Sequence, residues 1–173
     1  SFVLLFSDGS QSTTGGLPNN TLKDLAHIAA DHASDGHDKG NHYLDDISYW
    51  THINDLRPST GIIAYLSEVS SKRLSGMQNL TIYTFHAFGD DGKELLSDAA
   101  KVGGFKDTDP VGSPGYNLPD KTHEWDKLNN VTRAEVPDGV PDNFFEADNA
   151  NLLKNTLKAA LSDILQKSAS GTG

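Results

Sequence analysis

Two apolar stretches limit what this chain can fold into more than any other feature. FVLLF, from Phe2 to Phe6, ends at Ser7-Asp8-Gly9, and its continuous apolar run is typical of a strand covered on both faces, as in a parallel sheet. LTIYTFHAF, from Leu80 to Phe88, is rich in β-branched and aromatic residues and has no Gly or Pro inside it. We therefore predict that the two stretches are neighbouring strands of one parallel sheet.

Helical patterns and a short third strand complete the predicted architecture. Helices are predicted at residues 21–33, 43–52 and 61–74. A fourth helix has an apolar stripe of Leu95, Leu96, Ala99 and Val102 and ends at Gly103-Gly104, and a fifth begins at Asp148 or Asn149. Asn143 to Ala147 reads as a strand, residues 105–142 as a long loop, and Ser168 to Gly173 as a flexible exit. This order predicts an α/β fold, a Rossmann-like parallel sheet flanked by helices.

The composition excludes some classes of partner. The formal net charge is −10 and the sequence pI is about 4.9, which argues against binding to a phosphate backbone. No apolar run approaches the roughly 18 residues of a membrane span. No signal peptide is recognisable at Ser1, so we expect an excised or truncated segment whose export signal lies in the missing upstream part.

Asp8 is the first candidate for a functional side chain. It follows the first predicted strand, and ligands of open α/β sheets gather outside the carboxyl ends of the strands. With Ser10 and Ser12 it offers hard oxygen ligands suited to Mg²⁺, Mn²⁺ or Ca²⁺. The alternative is that Asp8 caps the turn and that the serines are ordinary polar groups of a loop.

The segment FVLLFSDGSQS resembles the strand-to-loop segment of von Willebrand factor A domains. Asp8-Gly9-Ser10-Gln11-Ser12 matches the D-x-S-x-S motif that opens the metal-ion-dependent adhesion site, and Ser7-Asp8-Gly9 matches the later T-D-G motif. LTIYTFHAFG with its following helix is similar to the last strand and helix of these domains. Only helices are predicted between the two strands, so we align Asp8 with the T-D-G aspartate. The resemblance then implies that the N-terminal strands of the domain are missing.

Further segments resemble the PilC/PilY proteins of bacterial type IV pili. They are YLDDISYWTHINDLRP, from Tyr43 to Pro58, and DGVPDNFFEADNANLLKNTLKAALSDIL, from Asp138 to Leu165. The resemblance implies a partial von Willebrand factor A-like domain at residues 1–167, with residues 168–173 as a linker to a missing downstream domain. It also implies an exported, surface-located protein that supports pilus biogenesis and adhesion. The implied partners are the remainder of its own domain or another pilus protein chain, with a host or surface receptor as a further possibility.

Asp138-Gly139-Val140-Pro141-Asp142 is the second candidate site. It looks like an eroded calcium loop with Asp138 and Asp142 as ligands, and the alternative is an acidic turn opened by proline. The chain has no G-x-S-x-G motif and no Gly-rich phosphate-binding motif. We therefore expect a binding protein with no catalytic and no cofactor-binding residues, in which Mg²⁺ or Ca²⁺ binding is weak or absent. A metal-dependent α/β hydrolase built on Asp8 and a structural pilus module without its own ligand remain alternatives.

Overall fold

Three parallel strands form one sheet in a computed structural model of the chain, which describes residues 2–7, 43–56, 76–87 and 92–170. The strands are β1 (Phe2–Ser7), β2 (Thr81–Ala87) and β3 (Phe144–Ala147), in the order β1-β2-β3. The helices are α1 (Tyr43–Ile53), α2 (Lys93–Val102), α3 (Thr122–Trp125) and α4 (Ala150–Ser170).

The pairing of β1 with β2 confirms the predicted parallel sheet. Phe2 lies opposite Thr81 and Ser7 lies opposite His86, so the two strands run side by side over their shared length. β3 joins the other side of β2, with Thr84 opposite Phe144. All residues from Ile82 to Ala87 are buried, so β2 is covered on both faces, as expected of a central strand in a parallel sheet.

The alternation of side chains along β2 places helices on both faces of the sheet. Tyr83 and Phe85 pack with Phe145 of β3 and with Ala160 of α4 on one face. On the other face the Thr84 hydroxyl donates a 2.7 Å hydrogen bond to the carbonyl oxygen of Leu96 in α2. Because successive residues of a strand point to opposite faces, one strand organises both layers of the core.

Helices α1 and α2 pack against each other on the α2 face of the sheet. Leu96, Ala99 and Val102 of the predicted stripe are buried, and α2 ends at Gly103 as predicted. Tyr49 of α1, together with Val102 and Phe105, forms a further apolar cluster, against which Trp50 and Trp125 pack. The amphipathic pattern of α2 therefore predicted both the helix and its buried side.

The structure differs from the predicted boundaries at two places. Residues 105–142 contain α3 and an ordered network of side-chain to backbone hydrogen bonds, rather than loop alone. Helix α4 continues through Ser170, two residues past the predicted start of the exit segment at Ser168. The predicted helices at residues 21–33 and 61–74 lie outside the described residues. Among the described helices, none has both the length and the apolarity needed to cross a membrane.

Candidate functional site

The carboxyl ends of the three strands meet at one edge of the sheet. At this edge His86 of β2 lies opposite both Ser7 of β1 and Glu146 of β3. The Lys93 ammonium, in the first turn of α2, lies 2.7 Å from Glu146 Oε2. The predicted metal ligands Asp8, Ser10 and Ser12 lie outside the described residues, so their role stays a prediction.

The described part of this edge does not form a divalent-metal site by itself. Mg²⁺ and Ca²⁺ need about six or more oxygen ligands. At the described strand ends Glu146 supplies a carboxylate, and Lys93 already neutralises its charge. Asp90 and Asp91, which follow β2 in the sequence and could add carboxylates at this edge, lie outside the described residues.

A group of acidic side chains lies in the segment between α2 and β3. Ligand oxygens of Asp107, Asp109 and Glu124 fall within 4.8 Å of one another, an arrangement that can hold a cation. Asp107 organises the turn that brings them together, because its carboxylate accepts 2.7 Å hydrogen bonds from the backbone N–H groups of Asp109 and Asn117. Such aspartate-to-backbone bonds favour turns over regular structure.

Glu124 is the buried member of this acidic cluster, with 4% of its surface exposed. Its Oε1 accepts hydrogen bonds of 2.6 Å from the Thr108 hydroxyl and 2.9 Å from the Thr108 backbone N–H. Burial opposes ionisation, but the bonds from Thr108, the Lys121 backbone N–H and the Lys121 charge outweigh it and lower the pKa of Glu124 below 4.5. Glu124 is therefore held as a carboxylate that ties residue 108 to α3.

Lys121 supplies the positive charge of the cluster from within the chain. Its ammonium lies 2.5 Å from Asp109 Oδ2 and 3.8 Å from Glu124 Oε1. The bond to Asp109 raises the pKa of Lys121. The cluster is thus an internal ion pair, and a divalent cation would have to displace the Lys121 ammonium.

The predicted calcium-loop residues Asp138 and Asp142 bind backbone amides. Asp142 Oδ1 accepts hydrogen bonds from the N–H groups of Lys127 and Leu128, at 3.1 and 2.8 Å. Asp138 accepts from the N–H groups of Asn130 and Val140, at 2.7 and 3.1 Å. The acidic group able to hold a cation in the described part of the chain does not include either residue. This geometry matches the acidic-turn alternative, and a role in cation binding stays a prediction.

Asp126 completes the same hydrogen-bonded loop and is fully buried. Its two carboxylate oxygens accept from the backbone N–H groups of Asp138 and Gly139, at 3.1 and 2.7 Å. Burial raises the pKa of Asp142, and this effect outweighs the backbone hydrogen bonds, which act to lower the pKa. These aspartates join the two ends of the 126–142 segment and hold it beside β3.

Sequence reasoning missed the cluster of Asp107, Asp109 and Glu124. Asp107-Thr108-Asp109-Pro110 is visible as an acidic turn, but Glu124 lies 15 residues further along and follows no ligand-spacing motif. Thr108 brings the two parts together through tertiary hydrogen bonds, which have no sequence periodicity. The spacing of acidic residues alone could point to the first two members.

Comparison of the chain with protein-family models, with curated proteins and with solved structures gave no match. A function for this chain is therefore inferred from the sheet, from its carboxyl edge and from the resemblance of its segments to pilus proteins.

Proposed function

We propose that this chain is a binding module of a bacterial type IV pilus-associated surface protein of the PilC/PilY kind, with a von Willebrand factor A-like fold. It acts by recognition, supports pilus biogenesis and adhesion, and is exported to the cell surface. The observation that carries the proposal is the parallel pairing of β1 with β2, which places the end of FVLLFS beside the end of TIYTFHA. The resemblance requires these two strands to be neighbours.

The order of the described elements supports the same proposal. After β2 come α2, its glycine stop at Gly103, the long segment, β3 and α4, in the order that the resembling segments require. Ligands of open α/β sheets bind outside the carboxyl ends of the strands, so the edge near Ser7 and Glu146 is the expected recognition surface. A divalent cation would need ligands beyond Asp8, Ser10 and Ser12 to bind tightly there.

The outer edge of β1 favours the proposal that another segment or chain pairs with this module. FVLLFS carries no charge and no proline, the features by which natural edge strands avoid pairing with other chains. Among the described strands β1 pairs with β2 alone, and Val3 is 36% exposed. We therefore propose that the remainder of its own domain or another pilus protein chain covers this edge.

The experiment is made in the bacterium that encodes the chain. Deleting the segment of residues 1–167 from its parent protein should reduce the number of surface pili, or reduce adherence at normal pilus number. Unchanged piliation together with unchanged adherence would overturn the proposal. A deletion of equal length elsewhere in the parent protein controls for loss of the protein itself, whose amount is followed by immunoblot.

An enzyme assay separates the hydrolase alternative. The purified chain is incubated with p-nitrophenyl phosphate and p-nitrophenyl acetate in millimolar Mg²⁺ or Mn²⁺. We expect no turnover above buffer. Turnover that disappears in the Asp8→Ala variant would replace the binding role with a catalytic one.

A further inference from the structure

A cavity of about 350 Å³ lies between β3, the first turns of α4 and the loop before β3. This volume is at the lower end of the range of small-ligand pockets, ~300–1,000 Å³. Its floor is apolar and includes Val140, Phe144, Phe145, Leu152 and Ala159. The cavity is separate from the acidic cluster of Asp107, Asp109 and Glu124, since none of those residues lines it.

The polar lining of this cavity is acidic. It contains the carboxylates of Asp138, Glu146 and Asp148, with no lysine or arginine among the described lining residues. The Arg133 guanidinium lies outside the lining, 5.5 Å from the centroid of the Phe145 ring. The charge of Glu146 is balanced by Lys93, whereas Asp138 binds two backbone N–H groups that carry no full charge. Asp148 is exposed at the mouth. The lining therefore keeps a net negative charge that favours a cationic occupant.

Asn130 adds an uncharged amide to the lining. Its Nδ2 donates to the carbonyl oxygens of Pro141 and Phe144, at 2.8 and 2.7 Å. These two bonds hold the loop before β3 against the strand and so fix one wall of the cavity. The Asn130 Oδ1 is closed off from solvent, so the carboxylates are the groups that a cationic occupant can reach.

We propose that this cavity binds the side chain of a lysine presented by a partner protein. The four-carbon stem of lysine matches the apolar floor, and its ammonium supplies three donors for the surrounding carboxylate oxygens. The net charge of −10 on the chain attracts such a partner at long range. This proposal is independent of the pilus assignment, because it rests on the cavity between β3 and α4 alone.

The test is an NMR titration of the ¹⁵N-labelled chain with the peptide acetyl-Gly-Lys-Gly-amide. We expect saturable shifts of the Phe144, Leu152 and Thr156 amides at millimolar peptide, diminished by added salt. The peptide with norleucine in place of lysine keeps the stem but lacks the ammonium, and should bind at least about tenfold more weakly. Equal binding of both peptides, or shifts spread over acidic surfaces away from the cavity, would overturn the proposal.

Two matched variants locate the binding. Asp148→Asn removes an exposed charge from the cavity lining and should lower the affinity for the lysine peptide by several-fold to about tenfold. Asp120→Asn removes the same charge from an exposed position between α2 and α3, outside the cavity lining, and should leave binding unchanged. Equal loss in both variants would show that only the overall charge matters and would overturn the proposal. The ¹⁵N spectrum of each variant before peptide addition confirms that it is folded.

Discussion

Ser7 lies opposite His86 at the last register position that β1 shares with β2. Glu146 of β3 lies opposite the same histidine on the other side. The carboxyl ends of all three strands therefore share one edge, where ligands of open α/β sheets bind. The binding function proposed for this chain depends on that shared edge.

Gly104 is a position where a single added methyl group should be poorly tolerated. An added Cβ would lie 1.7 Å from Asn143 Nδ2 and 3.0 Å from the carbonyl oxygen of Ala100. Asn143 would have to move and give up its hydrogen bond to the carbonyl oxygen of Ile82. We expect Gly104→Ala to lower the free energy of unfolding by about 2–3 kcal/mol, measured by urea denaturation.

The double variant Gly104→Ala/Asn143→Ala tests the cause of that loss. Removing the Asn143 amide creates room for the new methyl group. The loss in free energy of unfolding of the double variant should therefore be smaller than the sum of the losses of the two single variants. Strictly additive losses would contradict the proposed contact between Gly104 and Asn143.

Tyr83 should make the fold sensitive to alkaline pH. Its buried hydroxyl donates a 2.5 Å hydrogen bond to Asp163 of α4 and accepts a 3.0 Å bond from Lys167. Burial, followed by the bond to Asp163, raises the pKa of Tyr83 far above its ordinary value of 10.0. Above pH 10.0 the tyrosine ionises in the unfolded chain but stays protonated in the folded one. The unfolded chain then binds fewer protons, so stability falls as pH rises.

The comparison of wild type with Tyr83→Phe isolates this effect. At pH 7 the free energy of unfolding of the variant should be about 1–2 kcal/mol lower than that of wild type, because the hydrogen bond is missing. From pH 10 to 11 the wild type should lose up to ~1.4 kcal/mol more than the variant, because one proton is involved. Tyr116→Phe, at an exposed tyrosine, is the control and should change stability by less than ~0.5 kcal/mol. Parallel stability curves for wild type and Tyr83→Phe would contradict the assignment.

Glu124 should make the fold sensitive to acid. Its pKa is lowered in the folded state, so its contribution is present above its ordinary value of 4.5 and is lost as pH falls through the folded value. At pH 7, Glu124→Gln should destabilise the chain by about 1–2 kcal/mol, because bonds to a charged acceptor weaken. The difference from wild type, followed by urea denaturation, should shrink below pH 4.5. A difference that stays constant down to pH 3 would assign the loss to packing instead.

Cation binding tests both the acidic cluster and the predicted ligands at Asp8. In calorimetric titrations, wild type should bind Ca²⁺ and Mg²⁺ no more tightly than about 1 mM, because Lys121 occupies the cluster and a lone aspartate supplies too few oxygens. Lys121→Met should bind Ca²⁺ several-fold more tightly than wild type, because the competing ammonium is gone. Tight binding by wild type that Asp8→Ala abolishes would contradict the expectation and restore a metal role at the strand edge.

The sheet and its helices could be predicted because each element carries a local signal in the sequence. The strands β1 and β2 are unbroken runs of apolar, β-branched and aromatic residues, and all of Ile82 to Ala87 are buried, as expected of a strand covered on both faces. The spacing of Leu96 and Ala99 follows the period of a helix with one buried side. The predicted parallel pairing of β1 with β2 is confirmed.

The interior of residues 105–142 could not be predicted because its contacts follow no period. Asp107, Asp126 and Asp142 each bind backbone N–H groups that lie up to 15 residues away in the chain. From the sequence, Asp138 and Asp142 are compatible with a calcium loop as well as with an acidic turn. Only the folded chain shows that backbone amides satisfy them.

The most direct test of the fold, and of the role inferred from it, is whether β1 and β2 pair in parallel in solution. In the ¹⁵N- and ¹³C-labelled chain we expect nuclear Overhauser effects between backbone protons of Val3 to Leu5 and those of Ile82 to Thr84, in the pattern of parallel strands and in the register given above. An antiparallel pattern, or the absence of any contact between the two segments in the folded protein, would contradict the parallel sheet and remove the basis for the proposed role in pilus biogenesis and adhesion.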